Sequence, residues 1–441
     1  MPKQNNGIEW IGRIPITWEL KKIKFLLKQR IEKNNPVQTK DILSLTAKQG
    51  VIPLSEKEGG GNKPKEDITG YVLAYPGDIV MNSMNVLSGS VGLSKYFGCV
   101  SPVYYMLKPL NGNDDVRFYN YIFQTKDFQN SLLGLGNGIL IKESDNGKYN
   151  TIRMRIPIDK LFNLMLPSVS PVVQNNIADL LDIKCAEIDS LHADIEKQID
   201  VLEQYKKSVI TEAVTKGLDP NVEMKDSGIK WIGKIPKNWA VLRLKYSSTL
   251  KGRIGWQGLR STEYIDEGPF LITGTDFENG IINWNTCAHI SERRYDMDMN
   301  IQVKDNDLLI TKDGTIGKTA IVKNSPEKVS LNSGVFIIRN DKKYKYVDKY
   351  MYYIINSNVF TLWYELNQQG NSTIRHLTQD RFYNFAFPYL GYEEQQQIVE
   401  YLDSKCAEID SAIADKKKQL ETLEAYKKSL IYEYVTGKKE V

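Results

Sequence analysis

The chain is written twice at one fixed offset. Residues 7–18 read GIEWIGRIPITW, and residues 228–239 read GIKWIGKIPKNW. The hexapeptide KCAEID at 184–189 returns unchanged at 405–410, and LEQYKKS at 202–208 returns as LEAYKKS at 423–429. Every pair is 221 positions apart, and two such units fill 441 residues. A chain of this length exceeds what one core serves, so it divides into domains. Two similar halves also make an approximate two-fold axis available, a symmetry that half-sites on B-DNA share.

The end of each repeat predicts a long helix. Residues 172–215 contain neither Pro nor Gly, and Gly217 and Pro220 stop the run. Ile188, Leu191, Ile195, Leu202, Tyr205 and Val209 follow a spacing close to a heptad. The second copy runs from about Glu393 to Val435, with Ile409, Ala412, Leu423, Tyr426 and Leu430 as its stripe. At 1.5 Å per residue each helix is about 60 Å long, and a narrow apolar stripe wants a partner. The spacing therefore predicts that the two copies pair as an antiparallel coiled coil. Gln198, Gln419 and Lys416 are expected on the seam as polar residues that fix register.

The remaining segments are mixed. Short β-rich runs (78–81, 104–107, 307–310, 334–339) alternate with Gly, Asn and Pro turns, and helices are expected over Val116–Gln129 and Lys345–Asn358. The expected fold class is α+β. Two domains of mixed structure, 1–170 and 218–391, are joined by long helices at 171–217 and 392–441 in a pseudo-two-fold duplication. The interiors are less alike than the flanks: residues 77–84 read GDIVMNSM where 306–313 read NDLLITKD. A repeated frame with different contents is what recognition of an asymmetric two-part target requires.

Charge follows the same division. Residues 1–170 hold 22 basic and 15 acidic side chains, and 218–391 hold 23 and 19. The helical segments reverse this, with 5 against 9 in 171–217 and 8 against 11 in 392–441. Phosphate-binding modules joined by solvated helices would produce the alternation. No run of about 18 apolar residues offers a membrane span. The polar start, MPKQNN, is read as unexported. Cys99, Cys185, Cys287 and Cys406 are scattered, which argues against disulfides or zinc and for a reducing cytoplasm.

Chemistry-bearing motifs do not assemble. GTIGKT at 314–319 has the wrong glycine spacing for a phosphate loop. No Asn/Asp-Pro-Pro-aromatic tetrad stands where an amino-methyltransferase would need one, and Asn35-Pro36-Val37 does not complete it. His192, His289 and His376 lack metal-ligand partners at useful spacing. No cofactor is expected, and no catalytic or metal-ligating residue is assigned. Several loops suit nucleic acid instead. In the second half these are Arg253 and Gln257 among glycines, Lys312, Thr315 and Lys318 for phosphates, and Arg375 as a guanine reader. Polar, glycine-rich candidates in the first half are Asn82, Asn85, Ser88, Ser90 and Asn137. Trp10, Trp18, Trp231 and Trp239 are expected in the core or at an interface.

These residues resemble the specificity (S) subunits of type I restriction–modification systems. The resemblance rests on the doubled GIxWIGxIPxxW opening and the doubled KCAEID…LExYKKS helix. The connector GLDPNVEMKDSGIKWIG (217–233), DLLITKDGTIG (307–317) and EQQQI (394–398) also match the pattern. It covers the whole chain. It implies two target-recognition domains, each reading half of a bipartite double-stranded DNA target, with the paired helices as a ruler. It further implies two adenine-methylating modification subunits as partners, with restriction subunits held through them, and catalysis residing in those partners. On the residues alone, a standalone DNA-modifying enzyme and a structural adaptor on a coiled-coil scaffold stay open.

Overall fold

A computed structural model describes residues 3–441 apart from 6, 47–48, 58–63, 137–141, 144–148, 151–154, 254–258 and 368–375, with backbone only at 5, 142–143 and 149–150. The chain forms two compact units, Met1–Ile195 with Lys418–Val441, and Glu196–Lys417. Each unit therefore combines a globular segment with parts of both long helices.

In the first unit, hydrophobic runs form a four-stranded antiparallel sheet in the order Leu27–Arg30, Tyr104–Pro109, Ile79–Asn82, Val91–Leu93. Successive strand residues point to opposite faces, so the same strand feeds two cores. Ile79, Met81, Tyr105 and Leu107 join the main core, while Val80 and Met106 join a smaller one with Leu43, Leu45 and Val100. The second unit repeats the sheet as Thr249–Lys251, Val335–Arg339, Leu308–Thr311, Thr319–Ile321. There Leu308 and Ile310 face the main core, while Leu309 and Ile337 face a satellite core. Outside this frame the units differ. The first adds the hairpin Leu43–Thr46/Gly50–Pro53. The second adds a three-stranded sheet built on Ile265–Ile272.

The helix expected over Val116–Gln129 breaks in two, and the one expected over Lys345–Asn358 is followed by a second that begins at Asn358. Val116–Gln124 is followed by Lys126–Ser131, and Asp348–Ile355 by Asn358–Leu366. At the breaks, Thr125 and Ser357 turn to extended backbone, and their side chains accept hydrogen bonds from Phe128 N and Val359 N. A hydroxyl that can cap a new helix competes with continuing the old one.

The long helices span Pro171–Lys216 and Tyr392–Val435. Both end in glycine at positive φ, +77° at Gly217 and +67° at Gly437. In the second unit Lys206 pairs with Asp410 at 2.6 Å, whereas Gly217, further along, approaches Glu394. The partner number falls as the first rises, so the helices run antiparallel there. The first unit carries the equivalent ion pair with the helices exchanged, Lys427 to Asp189 at 2.6 Å. Ile188, Ile195, Ile199, Ile210, Ile409, Ile413 and Leu430 are buried as a stripe. The seam differs from expectation in its tyrosines. Tyr205 is 56% exposed and Tyr426 51%, Leu191 is exposed, and Gln198 and Gln419 lie on the solvent side. The apolar stripe drifts around a straight helix, so isoleucines one position off the assumed heptad cover the contact.

The repeated opening motif fastens each globular segment to a helix end. Trp239 is 1% exposed, donates from Nε1 to Glu394 Oε1 at 2.9 Å, and packs against Gly217. Trp18 and Pro15 pack against Gly437 in the same way, and Tyr432 donates to the carbonyl of Trp10 at 2.9 Å. A Cβ at Gly437 would sit 2.4 Å from Pro15, so only glycine admits the approach. Two buried glutamines complete the frame. Gln174 accepts from Asp115 N at 2.8 Å and donates to Val169 O at 3.0 Å; Gln395 accepts from Val347 N and donates to Leu390 O, both at 2.9 Å.

Candidate nucleic-acid interface

The strand Ile79–Asn82 of the first unit ends in a tight polar connector before Val91–Leu93. Asn82 N donates to Ser90 O at 3.0 Å, Ser90 N to Asn85 O at 3.2 Å, and Gly89, at φ +81°, closes the short helix Val86–Ser88. Asn82 is 8% exposed, and its Oδ1 accepts from Met84 N at 3.0 Å. Asn85 and Ser88 are exposed, and Ser90 is half-buried. Asn82, Asn85 and Ser90 line one cleft of about 970 Å³. The residue pattern did not point to the other walls. Ser44 comes from the added hairpin, Lys57 and Lys65 from the segment after it, and Tyr104 from the neighbouring strand. Only Tyr104 carries a signal in the sequence, as part of a β-rich run able to pair with the strand of Asn82. Burial pushes the Tyr104 phenol above its ordinary pKa, so it stays protonated. Asn137 lies outside the described residues.

In the second unit the equivalent strand Leu308–Thr311 runs into the loop carrying Lys312, Thr315 and Lys318. Gly314 and Gly317 sit at φ +67° and +90°. Thr311 Oγ1 donates to Thr315 O and accepts from Lys318 N at 3.0 Å, so the loop is closed by its own bonds. Thr315 and Lys318 are exposed. Lys312 is half-buried, its ammonium 4.6 Å from the centre of the Phe336 ring, and burial pulls its pKa down. The chain returning after residue 375 lies against this loop: Leu377 N donates to Lys312 O at 2.9 Å, and His376 Nδ1 lies 2.6 Å from Asp313 Oδ1. Gln257 and Arg375 lie outside the described residues.

Arg253 is placed differently from the expectation of an exposed reader. It is 2% exposed, with Nε donating to Leu331 O at 2.9 Å and Nη2 to Ser330 Oγ at 3.1 Å. Desolvation lowers the pKa of its guanidinium. The neighbouring Gly252 lets the backbone reach the Phe336 ring, where a Cβ would stand 2.6 Å from it. The glycine beside Arg253 thus serves a close approach inside the domain, and the arginine follows inward.

Among the described residues no cluster of three or more His, Cys, Asp or Glu could hold a metal ion. No described helix is long and apolar enough to cross a membrane. All four cysteines are buried and free.

The family model of the type I restriction modification DNA specificity domain matches residues 260–422. The type I restriction enzyme MjaVIII specificity subunit of Methanocaldococcus jannaschii is 27% identical over 288 residues, 63% of this chain and 63% of that protein's length. The MjaX specificity subunit assigned in the same organism is 24% identical over 443 residues, 97% of this chain and 95% of the other. A chain from a structure of the type I R-M system superposes with a TM-score of 0.67 at 13% identity, covering 96% of this chain and 98% of that one, which speaks for the fold. The duplicated frame, the matched domain and the similarity along the chain make this chain similar to type I restriction–modification specificity subunits.

Proposed function

We propose that the chain is the DNA-recognition subunit of a type I restriction–modification assembly, without catalysis of its own. Residues 1–170 and 218–391 each read one half of a bipartite, asymmetric duplex, and the helical segments 171–217 and 392–441 join the readers. Two modification subunits supply adenine methylation, and restriction subunits attach through them in the cytoplasm. One observation carries the reading. Two units with the same sheet, the same glutamine clamps and the same tryptophan fastening differ at the polar ends of one pair of equivalent strands, Ile79–Asn82 and Leu308–Thr311. Readers of two different half-sites on one scaffold need this division.

The contact set proposed for DNA is Asn82, Asn85, Ser88 and Ser90 in the first unit and Lys312, Thr315 and Lys318 in the second. Arg253 is left out because its guanidinium is committed within the domain. The test is the adenine methylome of the host with and without this gene. Loss of methylation at one two-part motif on deletion is expected. Methylation or cleavage by the purified chain alone would instead favour a standalone enzyme. Inserting one heptad into each long helix is expected to lengthen the spacer of the motif by about 3 base pairs, from 1.5 Å per helical residue and 3.4 Å per base pair, with both half-sites unchanged. An unchanged spacer would exclude the ruler.

A further inference from the structure

We propose that the first unit reads its half-site through an open cleft, in which the Tyr104 hydroxyl donates to an acceptor on a base edge while Lys57 and Lys65 hold backbone phosphates. This rests on the DNA-recognition reading above.

Tyr104 and Asn82 are cross-strand partners at the edge of the cleft, and both line it. The Asn82 oxygen is occupied by Met84 N, so its amide nitrogen is the end left on the side of its cross-strand partner Tyr104. A phenol hydroxyl carries one proton to give. In the major groove the acceptors for such a proton are purine N7, guanine O6 and thymine O4. A volume of about 970 Å³ falls in the range of clefts that enclose a ligand group. Lys57 and Lys65 stand on the same cleft, which supplies positive charge where a phosphate backbone would pass.

The second unit pairs different residues at the same position. Thr311 takes the place of Asn82, and its cross-strand partner is Val335, which has nothing to donate. The Thr311 hydroxyl is used within the loop by Thr315 and Lys318. Equivalent strand ends therefore present a half-buried donor in a concavity in one unit and a loop with exposed Thr315 and Lys318 in the other.

The test is selection from a random duplex library by the purified full chain, comparing wild type, Tyr104→Phe and the double variant Lys57→Ala/Lys65→Ala. Tyr104→Phe keeps the ring and removes only the donor. It is expected to lose roughly tenfold of the preference at one position in one half-site, with the other half unchanged. The double lysine variant is expected to bind every sequence more weakly, with the salt dependence reduced by roughly two phosphate contacts. A two-part motif selected by wild type and returned unaltered in both halves by Tyr104→Phe would overturn the cleft proposal. A wild-type chain that selects no sequence at all would instead overturn the DNA-recognition reading on which it rests.

Discussion

At the end of the strand Ile79–Asn82 the first unit sets an amide against a phenol and leaves a cleft beside them. At the end of Leu308–Thr311 the second sets a threonine against a valine and folds the next loop back onto it. A few residues earlier the two units agree closely. Asp78 accepts from Tyr75 N at 3.0 Å, and Asp307 accepts from Lys304 N at 2.8 Å. Even there the arginine that neutralises the carboxylate differs in origin. Arg30 reaches Asp78 from the strand Leu27–Arg30, and Arg339 reaches Asp307 from Val335–Arg339. Where a buried backbone N–H must be satisfied, the residue type is held. Where only charge balance is needed, any nearby strand can supply it. At the strand ends a side chain again satisfies a backbone N–H, but Asn82 serves Met84 two residues on and Thr311 serves Lys318 seven residues on, so the residue type is not held and the contents part.

The comparison can be broken most forcefully at the tryptophan fastenings. Trp239→Ala is expected to cost about 3–5 kcal/mol in urea unfolding, by loss of a fully buried indole. Trp18→Ala should cost less, because Trp18 is 9% exposed against 1% for Trp239. Equal losses would mean that burial at the two helix ends does not set their strength. The glutamine clamps come next. Gln395→Ala and Gln174→Ala each strand a backbone N–H and a carbonyl, and about 1–3 kcal/mol of destabilisation is expected from either. A loss confined to one variant would show that the frames are alike in geometry but not in energy. The smallest effect is on the exposed loop. Lys318→Ala should weaken binding to all duplexes alike, by less than about tenfold, and lower the salt slope by about one. A change of preferred sequence with Lys318→Ala would make this loop a base reader rather than a phosphate holder.

Much of the frame is legible in the residues alone. The 221-residue repeat announces two units, the Gly- and Pro-free runs announce both long helices, and glycines mark their ends. These signals are local and written twice, so each copy supports the other. The interface is far less legible. Asn82, Asn85 and Ser90 stand out as a polar connector, but the walls contributed by Ser44, Lys57, Lys65 and Tyr104 come from separate stretches of chain and share no motif.

The sequence by itself determined the number of units, the element types and the helix ends, because hydrophobic period, helix-breaking residues and capping act over a few neighbouring positions. Only the tertiary structure decided which side of each element is covered. It turned Arg253 inward to Leu331 and Ser330, left Tyr205 and Tyr426 half in solvent, and broke the helices at Thr125 and Ser357. Burial depends on what a distant segment brings to the same place, and that information is not carried by the residue's own neighbourhood.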